Sequence, residues 1–195
     1  MLISVRHLVD RARHPRRRAD ELRSIRSRLA EQPGAAETGR GLVALALKLR
    51  RLRRELSAAL AGVRSCSSCA VGYPEPFGHW DGGHCCGGNS ENLFTNDELA
   101  ALKLAGTTAG KLSPPHSDLA GCVFRGPTGC SLSVDDRPNI CVRYLCRTLE
   151  RELLARGDKP EIVALAQELK ETFEEFVKLR VASEVFPREM LDMME

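Results

Sequence analysis

Aromatic side chains are scarce in this chain. Six Phe, two Tyr and one Trp make up only 5% of its 195 residues, although 43% of the residues are hydrophobic. A core is within reach, but Leu, Val and Ala must build most of it. Long apolar runs are missing too. The longest, Leu42–Leu47, falls far short of the roughly 18–20 residues that cross a bilayer, so no membrane segment is expected. The opening stretch, MLISVRHLVDRARHPRRR, offers no signal-peptide core and no small-residue cleavage site. A cytoplasmic protein with reduced thiols is therefore expected. There are no internal repeats of useful length. No phosphate-binding glycine loop, Ser/His/Asp arrangement or paired-carboxylate motif is found, which removes the usual support for a hydrolase or a nucleotide enzyme.

Charge is unevenly spread. Residues 1–64 hold sixteen Arg/Lys against six Asp/Glu, a local charge of +10, and residues 65–195 hold thirteen against twenty, a charge of −7. Such asymmetry fits an anionic partner or an acidic face within the same protein. Arginine clusters can bind phosphate. No aromatic interleaving or DNA-binding pattern accompanies these, however. A solvated helix face, or docking to an acidic protein, is the preferred reading over nucleic acid.

The chain divides into three parts. Residues 1–64 read as a basic helical hairpin extension. Its first helix spans about residues 2–32, with Leu8, Leu22, Ile25 and Leu29 as an apolar stripe. Pro15 is expected to break or kink it. The second helix spans about Thr38–Arg64, with Leu42, Leu45, Leu49, Leu52, Leu56 and Leu60 on one face. Arg50, Arg51, Arg53 and Arg54 are placed on the remainder. Residues 65–150 read as a cysteine-cluster domain, loop-borne around residues 65–94. Within it, Thr95-Asn96-Asp97-Glu98 has capping-box form, with Thr95 capping a short helix and Glu98 reaching back. Pro138 suits a first helical turn, and that helix is expected to reach about Ala155. After the break Gly157-Asp158-Lys159-Pro160, a long helix carries Ile162, Leu165, Ala166, Leu169, Phe173, Phe176 and Val177 on one face. Residues 151–195 are expected to pack on the core. The fold class is thus mainly α: a small helical domain organised around a cysteine-rich metal centre.

All eight cysteines lie between Cys66 and Cys146. In a reducing compartment such clustering favours metal over disulfides. A secreted four-disulfide domain is the competing reading, and the missing secretion signal disfavours it. Cys66 and Cys69 are spaced as a knuckle that can aim two sulfurs at one ion. Cys85 and Cys86 are adjacent and point to opposite sides in extended backbone, so they serve different sites or leave one thiol spare. Cys141 and Cys146 stand about 140° apart on a regular helix, too far to share an ion unless the helix begins after Cys141. A place for Cys141 in a first turn, near Arg137, would favour its thiolate. The eight sulfurs, with Cys122 and Cys130, fit two four-cysteine sites or one site plus spare thiols. His79 and His84 are weaker ligand candidates. His7, His14 and His116 read as surface residues. Zinc and an iron–sulfur cluster are both compatible with this donor set.

Three stretches then stand out together: Cys122-Val-Phe124, Gly129-Cys130-Ser131, and Arg137-Pro138-x-x-Cys141-x-x-x-x-Cys146. With the capped segment Thr95–Leu104 between the cysteine groups, this order resembles the YkgJ-type cysteine-cluster family, a zinc- or iron-chelating domain. The resemblance covers about eighty of the 195 residues. It implies metal ligation by Cys66, Cys69, Cys85, Cys86, Cys122, Cys130, Cys141 and Cys146, and no particular reaction. The chain departs from the family in having fifteen residues, Ala70–His84, between Cys69 and Cys85. The expected function is a cytoplasmic metal-binding protein, zinc or iron–sulfur, that acts through a protein partner. The alternatives are an iron–sulfur redox or cluster-dependent enzyme and a zinc-dependent nucleic-acid-binding protein.

Overall fold

The computed structural model describes residues 5–65, 90–115, 122–126 and 129–185. Within them the chain is mainly helical. Its helices are α1 (Val5–Glu31), α2 (Arg40–Ala59), α3 (Ser90–Leu93), α4 (Asn96–Leu104), α5 (Asn139–Arg143), α6 (Arg147–Arg156) and α7 (Lys159–Val185). Strands β1 (Arg125–Gly126) and β2 (Gly129–Cys130) pair antiparallel, Arg125 opposite Cys130. The tail after residue 185, and the loop holding Cys66, Cys69, His79, His84, Cys85 and Cys86, lie outside the described residues.

The short helix α4 sits at the centre. Thr95 caps it, its hydroxyl accepting from the Glu98 amide at 3.2 Å. Leu99, Ala100, Ala101, Leu102 and Leu104 are all buried. Buried side chains on more than one side of a helix need more than one partner, and two core clusters supply them. Ala100, Ala101 and Leu104 join Leu42, Ala46, Leu49, Leu52 and Leu56 of α2, with Leu153, Ile162, Leu169 and Phe176 beyond. Leu99 and Leu102 join Ile25 and Leu29 of α1, with Phe94, Leu112, Cys122, Val123, Phe124 and Leu132. Each fully buried Leu or Phe contributes about 1.5–3 kcal/mol. The Phe94 and Phe124 rings, with centroids 5.4 Å apart and planes at 54°, close the second cluster.

Pro15 does not end α1, which runs Val5–Glu31 with one N–H missing from its ladder. Two expectations about the helices are corrected. The N-terminal hairpin is not how α1 and α2 pack. α1 lies on α3, α4 and the turn Ala109–Lys111, whereas α2 lies on α7, α4 and α5. Their apolar stripes enter different core clusters, which is why each finds its main partners elsewhere. Finally, the helix after Pro138 is two helices. Tyr144 leaves the helical region at φ −73°, ψ 115°, and Cys146 restarts it as the N-cap of α6, its sulfur accepting from the Leu149 amide at 3.4 Å.

The break expected at Gly157 and the apolar stripe expected along α7 are both present. Gly157 adopts φ 81° and closes α6, a conformation that costs an L side chain. Ile162, Leu169 and Phe176 are buried, and Leu165, Ala166, Phe173 and Val177 pack around them. At Gly41 a Cβ would stand 3.3 Å from Leu179 Cδ2, so a glycine there permits the close approach of α2 and α7.

Candidate metal centre

Four of the eight cysteines fall among the described residues, and the fold divides them. Cys122 is buried in the second core cluster and Cys130 packs against that cluster. A turn joins them: the Arg125 amide donates to the Cys122 carbonyl at 3.0 Å, and Arg125 pairs with Cys130 across the strands. Cys146 borders the first cluster. Cys141 is half-buried in the first turn of α5. Because the chain leaves the helix between them, the regular-helix separation of Cys141 and Cys146 no longer applies. Among the described residues, no three or more His, Cys, Asp or Glu side chains are grouped to hold a metal ion.

The described residues do fix how the remaining cysteine segment is attached. At its start, Glu152 of α6 accepts the amides of Arg64 and Ser65 at 2.7 and 2.8 Å. The Ser65 hydroxyl and these two amides hold the Glu152 carboxyl down to about 2. Ser65 directly precedes Cys66, and α6 is the helix that Cys146 caps. At the other end, Ser90 is fully buried, and its hydroxyl accepts the Val123 amide at 2.8 Å. Val123 directly follows Cys122. The segment between Ser65 and Ser90 is therefore tied at both ends to backbone that carries described cysteines.

Beside α5 lies a buried polar relay that sequence periodicity does not reveal. Glu98 does not reach back to complete a capping box. It is only 4% exposed, and its carboxylate accepts the Asn139 amide at 3.1 and 3.0 Å and the Asn139 side-chain nitrogen at 2.9 Å. Asn139 Oδ1 accepts from Arg53 Nη1 at 3.0 Å, and Arg53 Nη2 donates to the Asp135 carbonyl at 3.0 Å. Arg53 is completely buried, not on an outer face as expected, and its Nε has no hydrogen-bond partner among the described residues. Burial pushes the Glu98 carboxyl up to about 7 and lowers Arg53 to about 10. The available sequence signal was positional. Residue 53 is four after Leu49 and three before Leu56, on the apolar stripe, and Glu98 directly precedes the buried run Leu99–Leu102. A second small network adjoins it, with Thr107 donating to Asp136 at 2.8 Å and Ser133 to the same carboxylate at 2.6 Å.

The raised carboxyl of Glu98 has a pH signature. Its folded value of about 7 exceeds the usual 4.5, so the folded state keeps a proton that the unfolded chain releases. That contribution is fully present below pH about 4.5 and is lost as pH rises to about 7. The loss is on the order of 3 kcal/mol. Glu152 and Asp135, both shifted down, act in the opposite sense in the acid range, outside this window. Urea unfolding across the window should therefore show wild-type stability falling relative to Glu98→Gln. Parallel curves for the two proteins would refute the assignment.

Among the described residues, many arginines are engaged within the fold. Arg18 donates to the Cys122 carbonyl at 2.9 Å, and Arg26 to the Leu112 carbonyl at 2.7 Å. Arg28 donates to Asn96 Oδ1 at 2.8 Å and Arg50 to the Ala105 carbonyl at 2.7 Å. Arg54 forms a two-pronged pair with Asp135, and its Nε contact is 2.6 Å. Arg137, expected beside Cys141, donates to the Leu132 carbonyl at 3.0 Å. Among the described residues, no helix is long and apolar enough to cross a membrane. Compared with known proteins, the chain matches no family model, no curated protein and no solved structure.

Proposed function

We propose that this is a thiolate metal-binding protein, with zinc or an iron–sulfur cluster held by Cys66, Cys69, Cys85, Cys86, Cys122, Cys130, Cys141 and Cys146. The observation that carries this reading is the anchoring of the cysteine segment. Ser65 is tied to the helix that Cys146 caps, and Ser90 is tied to the backbone beside Cys122. The order of motifs shared with the YkgJ-type family supports the same ligand set. Soft thiolates suit both zinc and iron–sulfur clusters. The bound group would tie the loop to the helical core and, if it is a cluster, supply electron transfer.

A protein partner in a cytoplasmic setting is the preferred context. Arg18, Arg26, Arg28, Arg50, Arg53 and Arg54 already bond inside the fold, which weakens the case for a phosphate-binding surface. The test is metal and acid-labile sulfide content, with an absorption spectrum, on protein purified without oxygen. Zinc without colour supports a structural site. Iron with sulfide supports a cluster and opens the redox alternative. A chain with neither rejects the proposal.

A further inference from the structure

α5 is a single turn, and nothing local holds it. Five residues are too few for a helix to persist alone in water. Its N-cap, Pro138, makes no side-chain capping bond. The first amides of any helix lack partners inside it. Here Glu98, 41 residues earlier, supplies the first with one. Its carboxylate takes the Asn139 amide and the Asn139 side chain. The next amide, that of Cys141, donates to the Pro138 carbonyl at 3.0 Å.

Glu98 is itself immobilised. α4 is buried on both sides, Thr95 caps it at the Glu98 amide, and Arg53 of α2 grips the far side of Asn139. A buried carboxylate beside a buried guanidinium is seldom the most stable way to fill a core. Here the two groups grip Asn139 from either side and lock the start of α5 to the centre of the fold.

We infer that Glu98 is a positioning residue for the metal centre: by holding the Asn139 amide and side chain it fixes the start of α5, and with it the place of the Cys141 sulfur. The inference rests on the reading of Cys141 as a ligand.

The test uses the full chain, stripped of metal under nitrogen and titrated with Co²⁺ alone in competition with a chelator. The sulfur-to-cobalt charge-transfer band is the readout, and circular dichroism checks that each variant is folded. Glu98→Asp keeps the charge that faces Arg53 but withdraws the carboxylate by one methylene from Asn139. It should weaken Co²⁺ binding by about 10- to 100-fold and shift the band. Glu98→Gln keeps the length and a carbonyl acceptor, and should bind close to wild type. In a Cys141→Ser background, Glu98→Asp should cause little further loss. If Glu98→Asp binds as wild type does, or loses as much affinity without Cys141 as with it, the inference is overturned and the metal reading stands. If the wild-type chain takes up no Co²⁺, the metal reading fails and the inference falls with it.

Discussion

Glu98→Ala should lower the stability of the folded chain by about 3–5 kcal/mol, the cost of leaving buried N–H donors without their acceptor. Two N–H groups lose their acceptor at once: the Asn139 amide and the Asn139 side chain. Each unmet buried donor costs about 1–3 kcal/mol. The Arg53 guanidinium, completely buried, also loses the carboxylate nearest to offsetting its charge. In an Arg53→Met background that last penalty disappears, so Glu98→Ala should cost less there. Urea unfolding of the four proteins measures the coupling. Strict additivity, or a loss near zero for Glu98→Ala, would mean that the relay is not holding α5.

Chelation is expected to have the second large effect. Structural zinc in small domains contributes about 10–16 kcal/mol of binding free energy, much of it felt as folding energy. Between Cys66 and Ser90 the sequence offers few apolar residues, so that stretch cannot order itself by burial alone. The helical core is differently placed. Leu49, Leu52 and Leu56 of α2 meet Leu169 and Phe176 of α7 in an apolar cluster that needs no metal. Metal removal should therefore expose the stretch 66–89 to proteolysis while leaving much of the helical circular dichroism. An unchanged digestion pattern after complete metal removal would contradict this division.

The parts of the fold that were legible in the sequence are those written in local periodicity and capping. The α7 stripe, the α2 stripe, the Thr95 cap and the Gly157 stop each follow from a few adjacent residues, and each is present. What was not legible depends on residues distant in sequence. Arg53 sits on the apolar stripe of α2, but periodicity sorts residues by polarity and assigns it outward. Its burial depends on Asn139 and the Asp135 carbonyl, more than eighty residues away. The break between α5 and α6 has no proline or glycine to mark it: Tyr144 leaves the helical region and Cys146 restarts it. The pairing of α1 and α2 with other helices was equally hidden, since two stripes joined by a short connection read as a hairpin until their separate clusters are seen. At the candidate centre, motif spacing named eight thiols. It did not show that Cys122 and Cys130 share one cluster while Cys146 borders the other.

The most direct measurement is the metal content of wild-type protein purified without oxygen, read together with its absorption spectrum. The account expects about one or two metal ions per chain bound by thiolate if zinc, or iron with matching acid-labile sulfide and a visible chromophore if a cluster. A chain that carries neither, with its cysteines paired as disulfides, would contradict the central claim.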